Sequence, residues 1–133
     1  LVQAPYNIFD RSLVKTGWMQ ELSSSGVEIH VRSIFLQGLL LMPLGSIPEK
    51  FNKWTQLLTV WDDWLLENDI TRLQATTSFA LSDPRISRVV VGVDSLNQLK
   101  EIVDSVLDKS LDFPDDLYSL DSDLINPSQW NSL

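Results

Sequence analysis

Several residue types that often build functional sites are missing or scarce in this chain. Its 133 residues include no cysteine, so disulfides and cysteine-based metal sites are excluded. Cysteine content therefore does not indicate whether the protein works in an oxidising or a reducing compartment. The only histidine is His30. No secretory signal is present, and the longest apolar run, from 39 to 44, is far too short to span a bilayer. A cytoplasmic protein with no metal site and no membrane anchor is therefore expected.

Positive charge is also scarce. Ten Lys and Arg stand against 18 Asp and Glu, and the formal net charge of −8 argues against a nucleic-acid or anionic-membrane partner. Because Asp is concentrated near the C-terminus, we expect residues 112–133 to form a solvated acidic extension. The hydrophobic content of 44% is typical of a globular protein, so residues 1–111 should form one domain or part of one.

Three segments have the pattern of β-strands, and the second strand alternates most clearly. Its apolar residues Val27, Ile29 and Val31 share one face, and Glu28, His30 and Arg32 share the other. Both faces are buried in a parallel barrel, so the apolar set should face helices and the polar set the barrel interior. His30 is accordingly expected to be buried and hydrogen-bonded. Strands are predicted at residues 2–6, 27–33 and, as a fully buried run, 88–93.

Helical patterns separate these strands. Thr71 and Ser95 begin sequences that match capping boxes, each with Gln three residues later. Thr16 is a predicted cap and Gly26 a predicted stop for an earlier helix. Pro48 suits the first turn of another helix. The alternation of strand and helix predicts an α/β fold with parallel strands and right-handed crossovers. A strong 3.6-residue period marks the helix after Pro48, at Trp54, Leu57, Leu58, Val60, Trp61, Trp64 and Leu65.

In order and spacing, three segments resemble the sixth, seventh and eighth strands of an aldo-keto reductase. They are the strand that carries Gln3, the strand end from Arg32 to Gly38, and the Val-Val-Gly strand at 89–93 that leads into a capped helix. The resemblance runs from Leu1 to about Leu111. It implies the C-terminal portion of a TIM (β/α)8 barrel, with three parallel strands and crossover helices in an open partial barrel. The chain begins inside a strand pattern, which favours a C-terminal fragment.

The same resemblance implies a binding site for NADP or NAD. Gln3 matches the family position that hydrogen-bonds the nicotinamide carboxamide, and its amide offers both a donor and an acceptor; the alternative is a Gln satisfied inside the barrel. Arg32 falls where many members stack an aromatic ring on the nicotinamide, and a guanidinium plane can also stack. The matches to the loop along the pyrophosphate are Ser33, Phe35 and Gln37, although an aromatic at 35 is more often a core residue.

At the adenosine end, the resemblance leaves the choice between NADP and NAD open. Many members place Lys and Arg where this chain has Gly92 and Gln98, and those cations hold the 2′-phosphate of NADP. Glu101 matches the acidic residue that meets the adenine amino group. The backbone amides near Ser95 can still bind phosphate, because helix N-termini attract anions.

The resemblance also limits the expected activity. The family's catalytic Asp, Tyr, Lys and His lie on the first four strands, so we expect no catalytic residue here and no carbonyl reduction by this chain alone. The expected function is to contribute the nicotinamide-cofactor site of an NAD(P)H-dependent oxidoreductase that acts on a small carbonyl substrate. One alternative is a non-catalytic half-barrel module that acts through oligomerisation or partner binding. Another is a remodelled enzyme that uses His30 and Arg32. Open sheet edges also predict a homodimer.

Overall fold

The computed structural model describes every residue from 1 to 133. Its α-helices and β-strands alternate along the chain, with short 3-10 segments at 39–41, 44–46, 49–54 and 127–132. The elements are β1 (Val2–Pro5), α1 (Ser12–Lys15), α2 (Trp18–Ser24), β2 (Ile29–Arg32), α3 (Thr55–Asn68), α4 (Arg72–Leu81), β3 (Ile86–Val89), α5 (Leu96–Asp104) and α6 (Ser122–Ile125).

The three strands form one parallel sheet in the order β1-β2-β3. Gln3 of β1 lies opposite His30 of β2, and His30 lies opposite Arg88 of β3. The predicted α/β class, with parallel strands joined by helical crossovers, is confirmed. Because β1 and β3 each pair with β2 alone, the sheet is open and has two free edges.

The second strand has the two faces that its alternation predicts. Ile29 and Val31 are completely buried against the helices, whereas Arg32 is exposed. The large aromatic residues of the core pack on this apolar side. Phe9 meets Trp61 edge to face with ring centroids 6.4 Å apart, and Trp61 stacks on Trp64 at 5.9 Å. The core therefore lies between one face of the sheet and the helices.

The third strand differs from its prediction in position and burial. It ends at Val89, and the pairing continues only through the Val90 amide, which donates to the Val31 carbonyl at 2.7 Å. Ser87 and Arg88 are exposed, and Val90 is 40% exposed. A fully buried strand at 88–93 was therefore wrong. The reason is that β3 is an edge strand with a neighbour on only one side.

The helix boundaries agree with some of the predicted caps and not with others. Thr71 and Gln74 form the full capping box at the start of α4, and Gly26 follows α2 with a left-handed φ of 69°. Thr16 does not cap α2, because its hydroxyl donates to the Ser12 carbonyl and Gly17 occupies the cap position. On α3, the predicted apolar face is buried except at Leu57, which is half-buried, and at Val60, which is 43% exposed; Trp54 is buried but lies at the N-cap, just before the helix.

The C-terminal residues are more than a solvated extension. Asp115 and Asp116 are exposed, as expected, but Leu117 and Leu124 are completely buried in the core. The amide of Ser119 donates to the Phe9 carbonyl at 2.8 Å, which ties this segment to the loop after β1. The segment therefore belongs to the domain through its apolar side chains and through Asp121, whose carboxylate accepts hydrogen bonds from Lys53 and Trp54.

None of the helices combines the length and the apolar character that a membrane crossing requires.

Candidate functional site

A cleft of about 920 Å³ opens at the carboxyl ends of the strands. Ligand sites of parallel α/β sheets lie at this edge, and a volume in this range suits a small-molecule site. Its walls come from the loop after β2, the start of α4, the segment after β3 and the cleft side of α5. All eight cofactor-binding residues predicted from the sequence line it: Gln3, Arg32, Ser33, Phe35, Gln37, Gly92, Gln98 and Glu101.

The loop after β2 has an unusual backbone. Ser33, Leu36 and Gln37 have φ values of 58°, 47° and 53°, and Gly38 follows at 84°. Left-handed non-glycine residues are strained, and they persist only where the surrounding structure holds them, often at ligand sites. Here the Asn7 side-chain amide donates to the Ser33 carbonyl at 3.0 Å, and Leu36 is completely buried. Both contacts fix the turn from the protein side and leave its other side to the cleft.

Phe35 in this loop and Arg32, the last residue of β2, also make contacts within the protein. Phe35 lines the cleft and also packs against the core, so it has the core role that is more usual for an aromatic and a face open to the cleft as well. The Arg32 side chain is exposed, and its Nη1 donates to the Ser33 hydroxyl at 3.2 Å.

Gln3 presents a free amide to the cleft. Its side chain is exposed and makes no hydrogen bond to another protein group, so the alternative of a Gln satisfied inside the fold does not apply. Because an amide has a donor and an acceptor, Gln3 can pair with a ligand amide in both senses.

His30, next to Gln3 across the sheet, is engaged within the protein. Its Nε2 lies 2.8 Å from the Glu28 carboxylate, and its side chain is only 14% exposed. The hydrogen bond from His30, more than its charge or that of nearby Arg88, lowers the pKa of Glu28. Arg88 lies 3.7 Å from the same carboxylate. The Glu28 carboxylate thus pairs with His30 and Arg88 and not with Arg32. His30 itself does not line the cleft.

The α5 side of the cleft is formed by the start of that helix. The Ser95 hydroxyl accepts the Gln98 amide at 3.1 Å, as in a capping box. The Gln98 side-chain oxygen, however, accepts the backbone N–H of Asp94 at 2.7 Å and not that of Ser95. Gln98 therefore has its side-chain NH₂ left for a ligand. Gly92 has no heavy atom within 4 Å of where a Cβ would lie, so its backbone is open to the cleft.

Sequence reasoning missed the contribution of α4. Arg72, the first residue of that helix, lines the cleft and forms an ion pair with Asp62 of α3. The signal was present, because the Thr71 cap fixes where α4 begins. A helix that leads into a parallel strand starts at the carboxyl edge of the sheet, where this cleft lies.

Tyr6 does not face the cleft, although its place after β1 suggested that it could. Its ring is 5% exposed and stacks on Phe79 with centroids 4.9 Å apart. Burial, followed by the nearby charge of Asp83, raises the pKa of Tyr6 to about 12. The phenol therefore stays protonated inside the core and is not placed as an acid for a ligand in the cleft.

The structure contains no group of three or more His, Asp or Glu side chains that could together bind a metal ion. The chain matches no protein-family model, and no curated protein matches it. The resemblance to aldo-keto reductases therefore rests on the residues and their spacing.

Proposed function

We propose that this chain provides the cofactor site of an aldo-keto reductase-like, NAD(P)H-dependent oxidoreductase, and that the cleft holds the dinucleotide. One observation carries the proposal. The eight residues that the resemblance selects lie between Gln3 and Glu101 on three strand–loop units, and they all line one cleft. In this proposal β1, β2 and β3 correspond to the sixth, seventh and eighth strands of a TIM barrel.

The chemistry of the cleft supports a dinucleotide. The free Gln3 amide suits the nicotinamide carboxamide, and the guanidinium groups of Arg32 and Arg72 suit phosphate oxygens. Glu101, which is exposed, offers an acceptor to an adenine amino group. Two carboxylates, Asp94 and Glu101, line the cleft, and Arg32 and Arg72 are its only cations. Anion binding there depends on them.

The cofactor supplies hydride when it is bound, and this chain's residues would bind and orient it. Reduction of a small carbonyl compound also needs an acid beside the developing alkoxide. Tyr6 is buried away from the cleft, and His30 is bonded to Glu28 outside it. We therefore propose that the chain alone does not reduce carbonyls. A remodelled enzyme that uses His30 and Arg32 is not favoured. A cytoplasmic location and the preference between NADP and NAD remain predictions.

The proposal is tested by titrating the purified chain with NADPH and with NADH while cofactor fluorescence is followed. We expect saturable binding of at least one of them. Gln3→Leu should weaken it about 5- to 10-fold, since a typical hydrogen bond contributes about 1 kcal/mol. The matched control is Gln56→Leu, an exposed glutamine on α3 that does not line the cleft. Failure of the folded chain to bind either cofactor would refute the proposal, as would equal losses in the two variants.

A further inference from the structure

The α5 side of the cleft carries two carboxylates that have no partner within the protein. Asp94, just before the helix, and Glu101, within it, both line the cleft and are exposed. Neither takes part in an ion pair of the structure. The backbone N–H of Asp94 is held by the Gln98 side chain at 2.7 Å, whereas its carboxylate is free. No side chain of α5 is fully buried. A ligand that reaches this wall therefore meets uncompensated negative charge.

The two cations of the cleft belong to other elements. Arg32 ends β2, and its guanidinium donates to the Ser33 hydroxyl beside the sheet. Arg72 begins α4, its side chain is 15% exposed, and its charge is already paired with Asp62. The segment from 90 to 102, which forms the α5 wall, contributes no Lys or Arg to the lining, since Lys100 does not line the cleft. Negative charge thus lies on one wall and the unpaired cation lies on another.

NAD and NADP differ at the adenosine ribose, where NAD has a 2′-hydroxyl and NADP a 2′-phosphate. Under the proposed function Glu101 meets the adenine, so the adenosine ribose lies against the α5 wall. A hydroxyl can donate a charge-assisted hydrogen bond to a free carboxylate, whereas a phosphate in the same place is repelled by it. In Rossmann folds the same chemistry separates the two cofactors, because an acidic side chain takes the ribose hydroxyl and an arginine takes the phosphate.

The start of α5 is the one group on this wall that attracts an anion. A helix N-terminus carries roughly half an elementary positive charge. Each of the two carboxylates carries a full negative charge, and Asp94 lies beside that same N-terminus. The Ser95 hydroxyl already accepts the Gln98 amide, which takes up one of the helix's free donors. The wall as a whole is therefore unfavourable to a further phosphate.

We propose that the cleft takes NADH in preference to NADPH, and that Asp94 determines this preference by accepting a hydrogen bond from the 2′-hydroxyl of the adenosine ribose. The inference rests on the proposed function, because the cofactor must occupy the cleft for its ribose to meet this wall. Gly92 has no side chain and Gln98 is neutral, so neither supplies a charge that would reverse the preference.

The test is a titration of the purified chain with NADH and with NADPH at one ionic strength, followed by cofactor fluorescence. We expect NADH to bind about tenfold or more tightly than NADPH, the size of one charge-assisted hydrogen bond. Asp94→Asn should narrow this ratio, and Asp94→Arg should reverse it in favour of NADPH. In competition, adenosine 5′-monophosphate should displace NADH better than adenosine 2′,5′-bisphosphate, which locates the discrimination at the ribose.

The matched control is Asp104→Asn, at an exposed residue of α5 that does not line the cleft. It changes the net charge of −8 by the same amount as Asp94→Asn, so it measures the general repulsion of the more highly charged NADPH. We expect it to leave the ratio of affinities unchanged. Circular dichroism of each variant checks that the fold is kept.

The possible results separate this inference from the function on which it rests. If the folded chain binds neither cofactor, the proposed function fails and the NADH preference fails with it. Equal affinities, or tighter binding of NADPH, overturn the preference while the proposed function stands. A ratio that Asp94→Arg leaves unchanged, or that Asp104→Asn changes as much as Asp94→Asn does, overturns the role of Asp94.

Discussion

Tyr6 illustrates how burial changes the chemistry of a single side chain. Stacked on Phe79, the phenol has lost most of its contact with water, so its charged form is disfavoured. The negative charge of Asp83 adds to this effect, and the positive charges of Arg11 and Arg85 oppose it. The result is a pKa of about 12, raised from 10.0.

This shift predicts a loss of stability at alkaline pH. The folded pKa lies above the unfolded one, so the contribution is complete below pH 10.0 and is lost as the pH rises through about 12. The shift corresponds to about 2–3 kcal/mol. In a Tyr118→Phe background, where Tyr6 is the only tyrosine, phenolate absorbance should report a midpoint of about 12 for the folded chain. The same chain in denaturant serves as the control. A folded midpoint near 10 would contradict the burial described above.

Single residues also mark the limit of sequence-based prediction. Gln3 and Glu101 were predicted to share a site because the resemblance assigns each a role at a fixed spacing, and both line the cleft. Arg72 was missed, since its place in the cleft depends on the packing of α4 and on the pair with Asp62. The burial of Tyr6 could not be predicted either, because a residue at a strand end can turn to either side of the sheet.

Among the elements, the structure of the C-terminal segment differs most from what its acidic composition predicts. Leu117 and Leu124 are buried, and the Trp130 indole donates to the Leu124 carbonyl at 2.9 Å. The Trp130 ring also meets Phe51 edge to face at 4.9 Å. Acidic content predicted the exposure of Asp115 and Asp116 but not the pairing of Asp121 with Lys53, and sparse leucines between charges gave too weak a pattern to predict burial.

Removing one of those leucines should therefore destabilise the whole domain. Leu124→Ala is expected to lower the free energy of unfolding by about 2–5 kcal/mol, the range for truncation of a fully buried leucine. Leu120→Ala, four residues earlier at a leucine that is 69% exposed, should change it by less than about 0.5 kcal/mol. Denaturant unfolding measures both. Equal, small effects would mean that the segment is not part of the core.

At the scale of the whole molecule, the core lies on one side of an open sheet. The other side carries polar residues such as Gln3, which is exposed, and His30, which pairs with Glu28. The alternation of β2 predicted which residues share this face, but the face is not enclosed in a barrel interior, because the sheet is open. The class and the parallel order followed from the alternation of strand and helix. The burial of β3 did not, because an apolar run predicts a covered strand, and this sheet has only three strands.

The small number of buried contacts on α5 has a further consequence for its amide hydrogen exchange and for ligand affinity. An element with no buried apolar side chain opens locally at a lower free energy than the domain unfolds. In hydrogen-exchange mass spectrometry, the amides of α5 should therefore exchange faster than those of α3, whose Trp61 and Leu65 are buried. Exchange of both helices at one common rate would contradict this. Since α5 forms one wall of the cleft, any ligand that needs Glu101 binds only the fraction of molecules in which α5 is folded, so ligand affinity and the local stability of α5 are linked.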